Sequence, residues 1–289
     1  MQKYDNGGNR MNNRKREDAI RLFSRLLITF LTVLAFWSFV PGTVRTEEGE
    51  MTTKTVNGRR TTTIEKSITL EKNTVLYGDV VINASVHLNG HLFSVQGNVL
   101  MHSEVHVEKG RFYVKGNLHQ ADPALYVGGG SVEVQGNYSI EGTERDKDGN
   151  MKPSNGWIKM ENEKDQMIIG GNFSSRSNNT SVLSAGIMEF KGNVTDYTGN
   201  TFRCSGTHKV SFTSPRRQVV EFANSSACFQ TVKSSYNVQF KTLGIKQLTE
   251  SVTILGPVEK IWNKLDLNGK TMTINGNVDA LMSDRKSVV

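Results

Sequence analysis

An all-β fold, a right-handed parallel β-helix with coils of about 20 residues, is what this sequence predicts. Three observations predict it. A Gly-Asn pair recurs at a nearly constant spacing. Apolar residues fall at fixed positions around each pair. Glycine is abundant (27) and proline scarce (5), with threonine, serine, valine and asparagine recurring throughout, a mixture that favours strands and tight turns over helices.

The pairs are Gly97-Asn98, Gly116-Asn117, Gly136-Asn137, Gly171-Asn172, Gly192-Asn193 and Gly276-Asn277, with Gly78-Asp79 as an earlier relative. Successive spacings are 19, 19, 20, 35, 21 and 84. The 35 contains a polar insertion at 142–155, and the 84 is four times 21. Glycine supplies a left-handed or closely packed corner there, and asparagine tolerates such corners better than most residues.

Around each pair the apolar positions coincide. Val95, Val114, Val134, Ile169, Phe190 and Ile274 stand two before the glycine; Phe93, Phe112, Val132, Met167, Met188 and Met272 stand four before it. Val99, Leu118, Tyr138, Phe173, Val194 and Val278 stand two after it. Alternation of this kind marks strands with one buried face. A unit of two or three short strands cannot bury that face alone, but stacked on a copy of itself at about 4.8 Å it can. An antiparallel meander would need a turn every 8–12 residues, and the pairs come half as often. The right hand follows from the general handedness of parallel crossovers.

A longer repeat lies above the short one: 267–278 echoes 88–99 at an offset of 179. The expected organisation is therefore a leader at 1–46, a polar linker or N-cap at 47–67, a first solenoid module at 68–247 and the start of a second at 248–283. Between 210 and 254 apolar alternation persists but the Gly-Asn marker is lost, so the coil register there is open.

The two ends read differently from the middle. Arg10, Arg14, Lys15, Arg16, Arg21 and Arg25 precede an apolar run at 26–40 that is closed by Pro41-Gly42. A predominantly apolar run of 15 residues suits the h-region of an export signal better than a membrane-spanning helix of about 20. Val44 and Thr46 fit the positions before a cleavage site; the alternative is an uncleaved anchor. The last six residues, 284–289, resemble a translated sequencing adaptor and are set aside as a scar, with the natural chain expected to continue past Ser283.

The charge of +7 does not describe the folded part. Residues 1–46 hold eight basic and three acidic residues (+5), and 284–289 hold two and one (+1). The remaining 47–283 hold 25 and 24, a net of +1. A nucleic-acid partner, which would need a basic folded surface, is not expected.

The run LYGDVVINASVHLNGHLFSVQGNVLMHSEVHVEKGRFYVKGNL, with SNGWIKMENEKDQMIIGGNF and FRCSGTHKVSF, resembles the solenoid modules of large clostridial-type bacterial surface proteins. Those proteins are similar in layout to filamentous-haemagglutinin and adhesin-like β-helices. The resemblance covers about 65–283. It implies export, a repetitive solenoid and a surface location, and brings no catalytic residues to transfer.

Candidate chemistry is sparse. His87 and His106 lie 19 apart at one coil position, where stacked imidazoles could share a metal ion with His91 or His102 approaching; an outward-facing ladder is the favoured reading. Asp146, Asp148 and Asn150 in the insertion form a D-x-D-G-N run without the glutamate that closes a twelve-residue calcium loop, and an exposed polar loop is favoured. Cys204 and Cys228, the only cysteines, are 24 apart and are candidates for a disulfide or for two separate thiols. No cofactor is expected. Scattered acids between 156 and 210 offer no converging set, so the expected role is a structural or adhesive module that binds a glycan or a host or cell-wall surface. A polysaccharide lyase or hydrolase, or a spacer for a further domain, is the alternative. Export machinery, and the membrane through the N-terminal segment, are the other expected partners.

Overall fold

The computed structural model describes residues 51–214, 216, 218–223, 231–234, 238–240, 251–255, 267 and 269–275. The leader, the 284–289 tail, Cys228 and the Gly276-Asn277 pair lie outside the described residues. The described residues form a β-solenoid of about eight turns, with parallel strands stacked coil upon coil. No helix among them is long and apolar enough to cross a membrane.

Each coil from Asp79 to Phe190 contributes three short strands, one to each of three faces. After a Gly-Asn corner the chain enters a ten-strand face, exemplified by Val99–Met101, Leu118–Gln120 and Tyr138–Ile140. It then turns onto a six-strand face, with Val105–His106, Ala124–Tyr126 and Trp157–Met160. It returns along an eight-strand face, with Arg111–Val114, Ser131–Val134 and Gln166–Ile169, before the next Gly-Asn corner. The alternation around each pair therefore runs across a bend: Val114 and Leu118 share one interior but belong to different faces.

The repeat found in the sequence is the register of the solenoid. Val114 pairs with Val95 on one side and Val134 on the other, followed by Ile169, Phe190 and Phe212. Phe93, Phe112, Val132, Met167, Met188 and Val210 form a second ladder, and Val99, Leu118, Tyr138, Phe173, Val194 and Val220 a third. All of these are buried. Like side chains stack on like, so Phe93 and Phe112 lie nearly parallel at 5.6 Å, as do Phe190 and Phe212 at 5.8 Å. Tyr138 is the polar exception: it is fully buried, and its hydroxyl donates to Gln120 Oε1. Gln120, itself buried, in turn donates to Trp157 O at 2.9 Å. Burial pushes the Tyr138 hydroxyl far above its ordinary pKa.

The Gly-Asn corner carries a ladder of its own. Each asparagine side-chain oxygen accepts the backbone N–H of the asparagine one coil on: Asn98 to Asn117 at 2.9 Å, Asn117 to Asn137 at 2.8 Å, Asn137 to Asn172 at 2.8 Å and Asn172 to Asn193 at 2.9 Å. Asp79 opens the series by accepting the Asn98 N–H at 2.8 Å. From Gly97 to Gly192 these corner glycines are not left-handed, although Gly78 at the first such corner is, with φ 90°. They are needed because backbones touch: Gly116 N–H donates to Gly97 O at 2.9 Å, and a Cβ on Gly116 would lie 2.7 Å from that oxygen. The left-handed corners are the others, between the six- and eight-strand faces, where Asn89-Gly90, Glu108-Lys109 and Gly128-Gly129 all have positive φ.

The N-terminal segment at 51–64, expected as a polar linker or cap, is a β-hairpin. Met51–Val56 and Arg59–Ile64 pair antiparallel across Asn57-Gly58, whose φ values of 51° and 76° suit a type I′ turn. Arg59–Ile64 then pairs in parallel with Asp79–Ile82, so Met51–Val56 covers the edge of the first coil on the ten-strand face with threonine and lysine.

Toward the other end the marker fails for a visible reason. After Asn193 the next coil has no asparagine at the corner, and Asn193 Oδ1 accepts the Val219 N–H instead, at 2.9 Å. Buried Gln218 fills the corner, donating to Gly192 O at 2.7 Å and Phe190 O at 3.0 Å while accepting the Ser214 N–H at 3.0 Å. The pairing of Lys209–Phe212 with Thr231–Ser234 then shifts register between Val210 and Ser211. Val252–Leu255 and Met272–Asn275 pair in parallel, Val252 opposite Met272. The sequence echo at 267–278 thus includes a strand paired in parallel with Val252–Leu255.

Replacing Gly116 by valine forces the stacked corner carbonyls apart. Destabilisation of about 1–3 kcal/mol is expected in urea unfolding, the range of core overpacking, whereas Lys147→Ala in the exposed insertion costs less.

Candidate functional site

The outer side of the ten-strand face forms a groove of about 850 Å³ that runs along successive coils. Its floor consists of the outward residues of that face, among them Val81, Leu100, His119, Ser139, Ser174 and Thr195, which stack in register because their buried neighbours do. One wall is the exposed asparagine ladder. Glu141 and Tyr197 also line the groove, and the Arg176 guanidinium lies 3.6 Å from the centre of the Tyr197 ring. His119 is fixed in the floor by a 2.8 Å contact from Nε2 to Glu141 O.

This groove offers a row of corner amides at a repeat of about 4.8 Å, hydroxyls of Ser139, Ser174 and Thr195 on three successive coils, and a tyrosine. The asparagine oxygens are engaged by backbone N–H groups of the neighbouring coil, which orients the side chains. Such an array suits an extended chain ligand that repeats at a similar interval. Sequence reasoning found the corner asparagines but treated them as structural; the groove beside them was not foreseen. Its signal was present in the polar outward residues Ser139, Ser174 and Thr195, which occupy one coil position.

The candidates singled out from sequence fall elsewhere. His87 and His106 are register partners on the six-strand face, with Val86 and Val105 buried beside them, so both rings point outward. The rings stack at 4.3 Å with 13° between their planes, and Tyr126 continues the stack on His106 at 4.4 Å. The third group near them is Glu108, which spacing alone did not single out. His87 Nδ1 lies 2.9 Å from Glu108 Oε1, and His106 Nε2 lies 3.1 Å from Glu104 Oε2.

Asp146, Asp148 and Asn150 come together in the exposed insertion. Asp146 Oδ1 accepts the N–H groups of both Asp148 and Asn150 at 2.9 Å, and Arg145 and Met151 bridge antiparallel beneath. That oxygen is thereby committed to shaping the turn. Cys204 lies in the solenoid, but a pairing with Cys228 falls outside the described residues.

Two buried ionisable groups shape the coils near the far end. Asp196 spreads its carboxylate over the following loop, accepting from Gly199 N at 2.9 Å, Thr198 Oγ1 at 3.1 Å and Thr201 N at 3.0 Å. His208 is fully buried with Nδ1 2.8 Å from Ala185 O, and Nε2 has no hydrogen-bond partner among the described residues. Burial pulls its pKa below the ordinary value, because a protonated ring would bring a second buried donor; the Ala185 carbonyl and the Asp165 carboxylate oppose this.

Comparisons with protein families, with characterised proteins and with solved structures give no match. The functional reading therefore rests on the molecule itself.

His208 sets a pH dependence whose sign follows from the depressed pKa. Its contribution is complete above the unfolded value near 6.5 and is lost as pH falls toward and through the lower folded value. Urea midpoints measured from pH 7.5 to 5 should fall more steeply for the natural chain than for His208→Leu; equal slopes would contradict the assignment.

Proposed function

We propose that this chain is an exported, non-catalytic surface module of the adhesin type, which holds an extended glycan along the groove of its ten-strand face. The observation that carries the proposal is the match between the coil repeat and a linear groove that has a wall of corner amides and hydroxyls along part of its floor. A sugar chain lying along the axis would meet a corner amide at each coil from Asn98 to Asn193, and a floor hydroxyl at the three coils of Ser139, Ser174 and Thr195. Tyr197 would supply the ring surface on which a sugar packs.

Export is supported by the basic segment and apolar run at 1–46, and a bacterial surface location by the resemblance to clostridial-type solenoid proteins. The non-catalytic reading is supported by the acids of the groove. Asp79 and Glu141 flank strands three spacings apart on the ten-strand face, about 14 Å along the axis. Paired carboxylates that cleave glycosidic bonds stand within about 5–9.5 Å of each other. Asp79 is also engaged by Asn98, through the backbone N–H and the side-chain amide.

A glycan array and a polysaccharide-degradation assay on the purified chain test both parts. Retention of linear glycans without product release is expected. Ser139→Trp, which fills the groove from an outward position, should reduce binding at least tenfold with the circular dichroism unchanged. Product release abolished by Glu141→Gln would replace the proposal with an enzyme, and absence of glycan binding would remove the ligand.

A further inference from the structure

We propose that His87, His106 and Glu108 form a binding site for a divalent transition-metal ion of the zinc class, on the six-strand face and independent of the glycan groove. Stacking puts the two histidines at one coil position on adjacent strands, so the frame holds their backbones at the parallel-strand spacing of about 4.8 Å. Glu108 lies two residues beyond His106, in the corner that leads to the eight-strand face. From there its carboxylate turns back by one coil. Oε1 reaches His87 Nδ1 at 2.9 Å, and Oε2 accepts the Asn89 N–H at 3.1 Å. One ligand atom from each of the three residues lies within 4.8 Å of the others, and all three side chains are partly exposed.

Corner geometry supplies a second, independent observation. The equivalent turns one coil before and one coil after use Asn89-Gly90 and Gly128-Gly129, residues suited to positive φ. The turn between them uses Glu108 at φ 50° and Lys109 at φ 67°, two residues for which that region is unfavourable. A glutamate in a left-handed corner breaks the local rule, and such breaks concentrate at functional sites. What the exception achieves is visible: it places a carboxylate beside two imidazoles that the repeat has already aligned.

The donor set selects the ion. Two neutral imidazoles and one carboxylate suit zinc and its first-row neighbours, whereas calcium and magnesium require shells of oxygen ligands. Zinc–ligand bonds of about 2.0–2.1 Å require the three atoms to draw together and the rings to rotate out of their parallel stack. Partial exposure gives the rings room to do so and leaves the remaining coordination positions to water. Glu104, at 3.1 Å from His106 Nε2, anchors the second ring.

Isothermal titration of the purified chain with zinc chloride at pH 7.5 tests the site. One saturable zinc per chain is expected at this position, with affinity reduced about tenfold or more in His106→Gln and in Glu108→Gln. His119→Gln, on another face, should leave the affinity unchanged, and circular dichroism of each variant should match the natural chain. Zinc should also raise the melting midpoint of the natural chain and not that of His106→Gln. Absence of saturable binding, or binding indifferent to both substitutions, overturns the site.

Discussion

The solenoid depends on how closely one corner can lie on the next. At the Gly-Asn pairs the backbone of each coil rests on the carbonyl of the glycine below, at a distance that leaves no space for a Cβ. That contact sets the spacing at which parallel strands can bond on all three faces at once. The asparagine beside it then satisfies a backbone N–H that the bend would otherwise leave without a partner. Close approach and amide ladder are one device, and the apolar interior follows from it because every coil presents its side chains in the same register.

The same device prepares the outer surface. A side chain that points outward at one coil lies directly beside its counterpart at the next, so any chemistry repeated in sequence becomes a stripe in space. Ser139, Ser174 and Thr195 in the groove floor are such a stripe, and the stack of His87, His106 and Tyr126 is another. Unique sites arise where a corner departs from the repeat, as Glu108 does in the left-handed turn. The scaffold therefore presents two kinds of surface: a continuous stripe along the axis and a local cluster at an exception.

Much of the fold was legible because it depends on short-range pattern. The ladders through Val95, Val114 and Val134, and through Phe93 and Phe112, are periodic in sequence and stacked in space. Even the 35-residue step hides only a surface insertion, after which Val134 meets Ile169 in register. Less legible were features that depend on a corner. The hairpin at 51–64 was signalled by Asn57-Gly58 between threonine-rich strands, which composition alone reads as a linker. The loss of the Gly-Asn marker after Asn193 concealed a corner rebuilt by Gln218, a residue whose role is visible only when its three partners are in place. Glu108 was missed because histidine spacing draws attention to histidines. Aligning the turns rather than the strands would have exposed it, since it stands where Asn89 and Gly128 stand.

Paired-cysteine cross-linking tests the stacking most directly. His119 and Ser139 are opposite one another on adjacent strands of the ten-strand face, with Cα atoms about 4.8 Å apart, within the span of a disulfide. Glu133 is nearer to Ser139 along the chain but belongs to the eight-strand face. Under mild oxidation, with bridged peptides mapped by mass spectrometry, the His119→Cys/Ser139→Cys chain should cross-link and the Glu133→Cys/Ser139→Cys chain should not. The reverse outcome, or no bridge in either, would contradict coils stacked in register.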